Sequence, residues 1–165
     1  MSSGNSNMFM YIGVGVFILT VALVLAYFFL TCRSGSVKVA GKCYKLVEQE
    51  TSTATTGVNE AKLHDKIMNT GATTTTATTT FNLKVKDATK IIKGARITAK
   101  VDGTSETDKV DLKLIAGSNT LTFKFPKNGN IISEGKLFTT ALTTAVPALS
   151  LEVPTGVTVY EVELI

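Results

Sequence analysis

The 165-residue chain has no tryptophan, one histidine and two cysteines, and each scarcity removes a class of chemistry. Without Trp there is no Cys…Trp…Cys set of the kind that marks true immunoglobulin domains. The single histidine, His64, stands beside Asp65. Neighbouring positions on a helix do not face each other, so the two make no dyad, and His64 reads as a solvent-facing residue. A zinc site would need further His or Cys at ligand spacing. Glu48 and Glu50 are isolated, and Glu161 and Glu163 are expected to line the polar face of an edge strand. The acidic run Thr104–Asp108 lacks the spaced oxygen ligands of a calcium loop. No Gly-rich loop has phosphate-binding spacing, since Gly13 and Gly15 fall in an apolar run and Gly94 reads as a lone turn residue. The expectation is a non-enzymatic protein without catalytic residues, cofactor, metal or small-molecule substrate.

Charge is missing from a whole region. No side chain from Met1 to Cys32 is charged, and the 24 residues from Phe9 to Cys32 include fourteen Leu, Ile, Val or Phe. As a helix this stretch reaches about 36 Å, enough to cross a hydrocarbon core of ~30 Å with some tilt. At about −0.4 kcal/mol per residue, insertion is favoured by roughly 5 kcal/mol. Phe9, Ile18, Leu23 and Leu30 are the expected lipid-facing anchors, with Tyr11 and Tyr27 at the two interfaces. Thr20 can return its hydroxyl to a backbone carbonyl. A cleaved signal peptide fits poorly, because MSSGNSN has no Lys or Arg and Phe28, Phe29 and Leu30 stand where small residues are needed. Phe29-Leu30-Thr31-Cys32 is also a poor lipobox. Ala22 and Ala26 have the small-xxx-small spacing that permits helix contact.

Arg33, Lys38, Lys42 and Lys45 follow the apolar run within fifteen residues, whereas the N-terminal flank has only its α-amino group. The positive-inside rule then expects a single-pass protein with its C-terminal region on the cytoplasmic side, these four side chains touching anionic lipid headgroups. On that side Cys32 and Cys43 are free thiols by default, and Cys32 is also placed for palmitoylation; on an oxidising side they can bridge. Asn69-Thr70-Gly71 and Asn119-Thr120-Leu121 both fail the glycosylation spacing. The net charge of +4 does not point to nucleic acid, since the lysines alternate with apolar residues and no Arg–aromatic patch occurs.

Downstream, period-2 alternation dominates. VKVAGKCYKLVE, Val37 to Glu48, reads as a hairpin turning at Ala40-Gly41-Lys42. Val58–Asn69 is the one soluble helix expected, ended by Gly71, and TGATTTTATTT reads as a Thr-rich spacer leading into a strand. From about Thr78, alternating sets mark about seven strands: Phe81, Leu83, Val85; Ala95, Ile97, Ala99, Val101; Val110, Leu112, Leu114; Leu121, Phe123, Phe125; a segment broken at Gly135; Leu149, Leu151, Val153; and Tyr160, Val162, Leu164. The last of these is expected at an open sheet edge. The fold class expected is mainly β: a single N-terminal transmembrane helix (9–32, after a short tail, 1–8), a basic juxtamembrane hairpin, helix and spacer (33–77), and a small antiparallel sandwich, jelly-roll or immunoglobulin-like (78–165).

An anchor, a spacer and a β domain without a catalytic set make a structural tether. The layout resembles the membrane-anchored minor capsid proteins of large icosahedral double-stranded DNA viruses with an internal membrane, the chlorella viruses and iridoviruses. The resemblance lies in the helix at Phe9–Cys32, the TTTTATTT spacer and the compact β domain. It implies a helix in the virion inner membrane and a β domain reaching to a capsid lattice, with lipid bilayer and structural proteins as partners. The alternative is a cell-surface adhesion or pilin-like binding subunit of a bacterial or archaeal envelope. That reading requires the basic residues to violate the charge rule, and it predicts a Cys32–Cys43 bridge or glycosylated Thr.

Overall fold

A strand that alternates apolar and polar side chains must bury one face, and several such strands in succession bury it against one another as two layers. The computed structural model describes residues 11, 14–24, 31–54, 71–74, 77–140, 142, 145–146 and 148–165. The chain divides into two units, Met1–Ser34 and Gly35–Ile165.

In the first unit residues 14–24 are helical, and all of their side chains are exposed. Val14, Phe17, Ile18, Leu19 and Leu23 each leave more than half their surface uncovered. Thr20 Oγ1 donates to Val16 O at 2.8 Å, the hydroxyl return foreseen from the sequence. Of the expected anchors, Tyr11, Ile18 and Leu23 are described and exposed; Phe9, Tyr27 and Leu30 lie outside the described residues. The described stretch is about 16 Å long. Among the described residues no helix is long and apolar enough to cross a membrane.

The second unit holds eleven strands: β1 (Ser36–Val39), β2 (Lys42–Lys45), β3 (Gln49–Ala54), β4 (Ala72–Thr74), β5 (Thr79–Val85), β6 (Gly94–Val101), β7 (Ser105–Ala116), β8 (Asn119–Lys127), β9 (Ile131–Leu137), β10 (Ala148–Val153) and β11 (Val157–Leu164). Strands β1 and β2 form a hairpin. The others build a five-stranded sheet, β3-β5-β10-β7-β8, and a four-stranded sheet, β4-β11-β6-β9, antiparallel throughout. From β5 onward every connection except the β7–β8 hairpin crosses between sheets. The alternating sets meet between the layers as expected: Phe81, Leu83, Leu112, Leu114, Phe123, Phe125 and Leu151 from one sheet, Ala95, Ile97, Ala99, Val157 and Val162 from the other. Each of the larger side chains contributes about 2–3 kcal/mol by leaving water. Val110 is only half-buried.

Several expectations are corrected. The Thr-rich stretch is no mere spacer, because Ala72–Thr74 is an edge strand and Thr79-Thr80 opens β5. Thr74 and Thr79 are buried, and Thr74 Oγ1 donates to the carbonyls of Pro154 and Val157. A threonine packs its methyl group while its hydroxyl finds a backbone acceptor, so a low-apolar run can still enter a core. The expected helix 58–69, with His64 and Asp65, lies outside the described residues.

The final strand is not an edge. β11 is flanked by β4 and β6, and a bulge between Val159 and Glu161 changes its register. Val157 and Val159 before the bulge, and Val162 and Leu164 after it, all reach the core, while Tyr160 leaves the set predicted for it. Glu161 is 7% exposed rather than lining an open polar edge. Glu163 pairs with Arg96. The edges at β8 and β9 are defended instead. Glu134 accepts from the backbone N of Lys124 at 2.8 Å and Lys136 Nζ donates to Thr122 O at 2.6 Å, so side chains of β9 occupy backbone groups of β8.

Gly135 does not break its segment, for β9 runs through it. A Cβ there would stand 2.7 Å from Val39 Cγ2, so the glycine lets the β1–β2 hairpin lie against the sheet. Gly94, likewise, opens β6 instead of marking a lone turn. Val37, Val39 and Ile165 form a second small core there, with Tyr44, Leu46 and Leu137 against it. The hairpin turns where expected, at Ala40-Gly41, with φ of 48° and 81°. Two positive φ values make a type I′ turn, which favours Asn-Gly and strains alanine.

Two stability outcomes follow from this packing. Ala40→Asn should raise the unfolding free energy by about 0.5–1 kcal/mol, read from denaturant midpoints at unchanged slope. Gly135→Ala should lower it by about 1–3 kcal/mol, and adding Val39→Ala should return part of that loss, a coupling visible in a double-mutant cycle.

Candidate functional site

Loops at one end of the sandwich form an open concavity of the second unit. The segment 46–48 links β2 to β3, and Val47 N donates to Leu164 O at 2.8 Å, so this link is tied to β11. The segment 86–93 links β5 to β6. Lys86 N donates to Glu48 O at 3.0 Å, Ile92 is wholly buried, and Lys93 is held at both ends: its N donates to Ile165 O and its carbonyl accepts from Phe138 N. Between the two links lies an open cleft of about 560 Å³. Tyr44, Lys45, Val47 and Glu48 line one wall. Lys86, Asp87, Lys90, Ile91 and Lys93 line the other, with Ile165 also in the lining. Ile91 is 45% exposed, an uncovered apolar group within a cationic rim.

Four lysines and two side-chain carboxylates line the cleft. Lys86 pairs with Glu48 at 3.2 Å and Lys90 with Asp87 at 3.8 Å. Asp87 also accepts from Thr89 N at 3.0 Å and Thr89 Oγ1 at 2.6 Å. These two bonds, with the Lys90 charge behind them, hold its carboxyl below the usual carboxylate range, so it stays ionised into mild acid. A smaller crevice of about 330 Å³ adjoins the cleft across Leu46–Glu48 and is lined by Gln49, Glu161 and Glu163. Gln49 Nε2 donates to Val162 O at 2.8 Å, and its buried Oε1 has no hydrogen-bond partner among the described residues. The arrangement offers apolar contact, fixed cations and acceptors. Among the described residues no group of three or more His, Cys, Asp or Glu could hold a metal ion.

The expected headgroup residues are distributed otherwise than a single patch. Lys38 and Lys45 stand on the hairpin face that Val37 and Val39 turn away from, and Lys42 pairs with Val39 beside the turn. All three, and Arg33, are exposed. Only Lys45 joins the cleft. Tyr44, Lys86, Lys90 and Lys93 were missed from the sequence. Their signal was KDATKIIK, three lysines and two isoleucines in a link between two strands, where a solvated loop would not need the isoleucines.

Both cysteines, Cys32 and Cys43, are disulfide-bonded, which corrects the free-thiol default. The default rested on a charge count, whereas bridging requires only an oxidising environment and suitable geometry.

No protein-family model and no curated protein matches this chain. Among solved structures it is similar to the family 32 carbohydrate-binding module of C. perfringens NanJ, in complex with galactose. Identity is 12%, 69% of this chain and 91% of that one are covered, and the TM-score is 0.50. It is also similar to the family 32 module of AlyQ, in complex with 4,5-unsaturated mannuronic acid, at 14% identity, with 74% and 98% covered and a TM-score of 0.50. At these identities the likeness shows the fold, an antiparallel β-sandwich of that kind.

The thiol state is directly measurable. Under denaturing conditions without reductant, iodoacetamide should add no mass to the intact protein. After reduction it should add two carbamidomethyl groups, one for each cysteine.

Proposed function

We propose that the chain is a non-catalytic carbohydrate-binding module, displayed from a membrane by its apolar N-terminal segment on the oxidising side. The observation that carries the reading is the cleft between residues 46–48 and 86–93, where Tyr44 and Ile91 offer apolar surface and lysines and carboxylates ring it. A pyranose has apolar C–H faces and a polar rim of hydroxyls, and a half-apolar cleft with convergent polar groups suits it. The sandwich likeness to two modules seen with sugars supports the same reading. Binding loops at the end of a rigid β-scaffold are a common arrangement.

Membrane display is supported by the uncharged run from Met1 to Cys32 and by the exposure of apolar side chains along helical residues 14–24. The cysteines favour the oxidising side of the membrane. A bridged pair persists in an oxidising space and is reduced in the cytosol. The capsid-tether reading puts the β unit on the cytoplasmic-equivalent side, and the bridge weighs against that placement. The size of the β unit weakens the opposing pull of the flanking basic residues. Lys38, Lys42 and Lys45 belong to a folded hairpin of the unit Gly35–Ile165, and long domains translocate largely regardless of charge.

Full-length protein in detergent micelles should bind at least one soluble oligosaccharide saturably, with Kd of about 10 μM to 1 mM, or roughly −7 to −4 kcal/mol. The check is titration calorimetry on hits from a glycan array. An array that yields no saturable ligand would sink the carbohydrate reading.

A further inference from the structure

We propose that the ligand of this cleft is an anionic saccharide whose ring carboxylate is received by Lys45 and Lys93; this rests on the carbohydrate reading above. The four lysines of the cleft are not equivalent. Lys86 and Lys90 already face Glu48 and Asp87 at 3.2 and 3.8 Å. Lys45 and Lys93 have no carboxylate within ion-pair distance among the described residues, and both are exposed. A neutral sugar leaves these two ammonium groups with nothing beyond what water offers. A carboxylate gains charge-assisted hydrogen bonds, about twice as strong as neutral ones.

The placement of the two groups is built into the fold. Lys45 ends β2, whose partner residue is Ser36. Lys93 has its backbone N and carbonyl both engaged, with the wholly buried Ile92 behind it. Their backbones are therefore fixed before any ligand arrives, which lowers the ordering cost of binding. Asp87 gives the cleft a direction. Held by Thr89 N and Oγ1 and paired with Lys90, it offers a carboxylate no donor at its own end of the 86–93 link. Tyr44, Val47 and Ile91 remain as the surface for the sugar ring.

The test uses full-length protein in phosphatidylcholine nanodiscs, titrated with galacturonate, mannuronate and glucuronate oligomers and with their neutral counterparts. At least one uronate oligomer should bind about tenfold or more tightly than its neutral counterpart, a preference that shrinks as salt rises. Lys45→Glu with Lys93→Glu should remove that preference, while Lys109→Glu, an exposed reversal on β7, should leave it. Equal affinity for the neutral and acidic members overturns the inference and leaves the carbohydrate reading standing. Binding of neither class across the panel overturns both. A uronate preference untouched by the double reversal also overturns the inference, since the anion is then held elsewhere. Exchanging phosphatidylcholine for phosphatidylserine should leave uronate binding unchanged, and its abolition there, by lipid headgroups taking the cleft, overturns the proposal.

Discussion

The packing of Phe81, Phe123 and Phe125 from one sheet against the aliphatic residues of the other is the interaction on which the second unit depends. These three are the largest of its fully buried side chains. Interiors at native density leave no room for a shifted strand, so their positions dictate the register of their neighbours. The bulge in β11 is a consequence. Val159 and Val162 cannot both face the core on an unbroken two-residue period, and one extra residue at Tyr160 lets them. Glu161 is then carried into a buried position opposite Thr98.

The cleft grows out of the same packing. Strands that cross repeatedly between two sheets need links at the ends of the sandwich, and the links 46–48 and 86–93 leave at the same end. Each is tied to a neighbour by backbone hydrogen bonds, Val47 to Leu164 and Lys93 to Ile165 and Phe138. Ile92 is drawn inward, and with alternation its neighbours Ile91 and Lys93 are left outward, one apolar and one charged. The cleft therefore pairs a rigid backbone with side chains that the core does not claim. That pairing suits the proposed binding role, because preorganised groups lose less freedom when a ligand arrives.

The first unit follows a different rule. Its helical residues 14–24 expose apolar side chains all round, so nothing within that helix can remove them from water. A bilayer would do so at a gain of several tenths of a kcal/mol per residue. The two cysteines bear on the proposed placement in another way, since a disulfide persists in an oxidising space whatever the count of basic residues.

Much of the β fold was legible because alternation is a local property. Phe81, Leu83, Val85 and Leu149, Leu151, Val153 declare their face in six or seven residues, and the Ala40-Gly41 turn announces the hairpin. What local pattern could not carry were features set by distant partners. Thr74 enters the core because carbonyls some eighty positions away accept its hydroxyl. Gly135 reads as a strand breaker until Val39 is seen lying over it. The lysines of the cleft are separated by more than forty positions between Lys45 and Lys86, and only the meeting of two loops makes them one site. By itself the sequence determined where the apolar segment lies, which side chains alternate and that a two-layer β-sandwich results, because burial and backbone period act residue by residue. The tertiary structure alone decided which edges stay open, where the bulge falls and which charges share a cleft, because those depend on contacts between residues that no local pattern brings together.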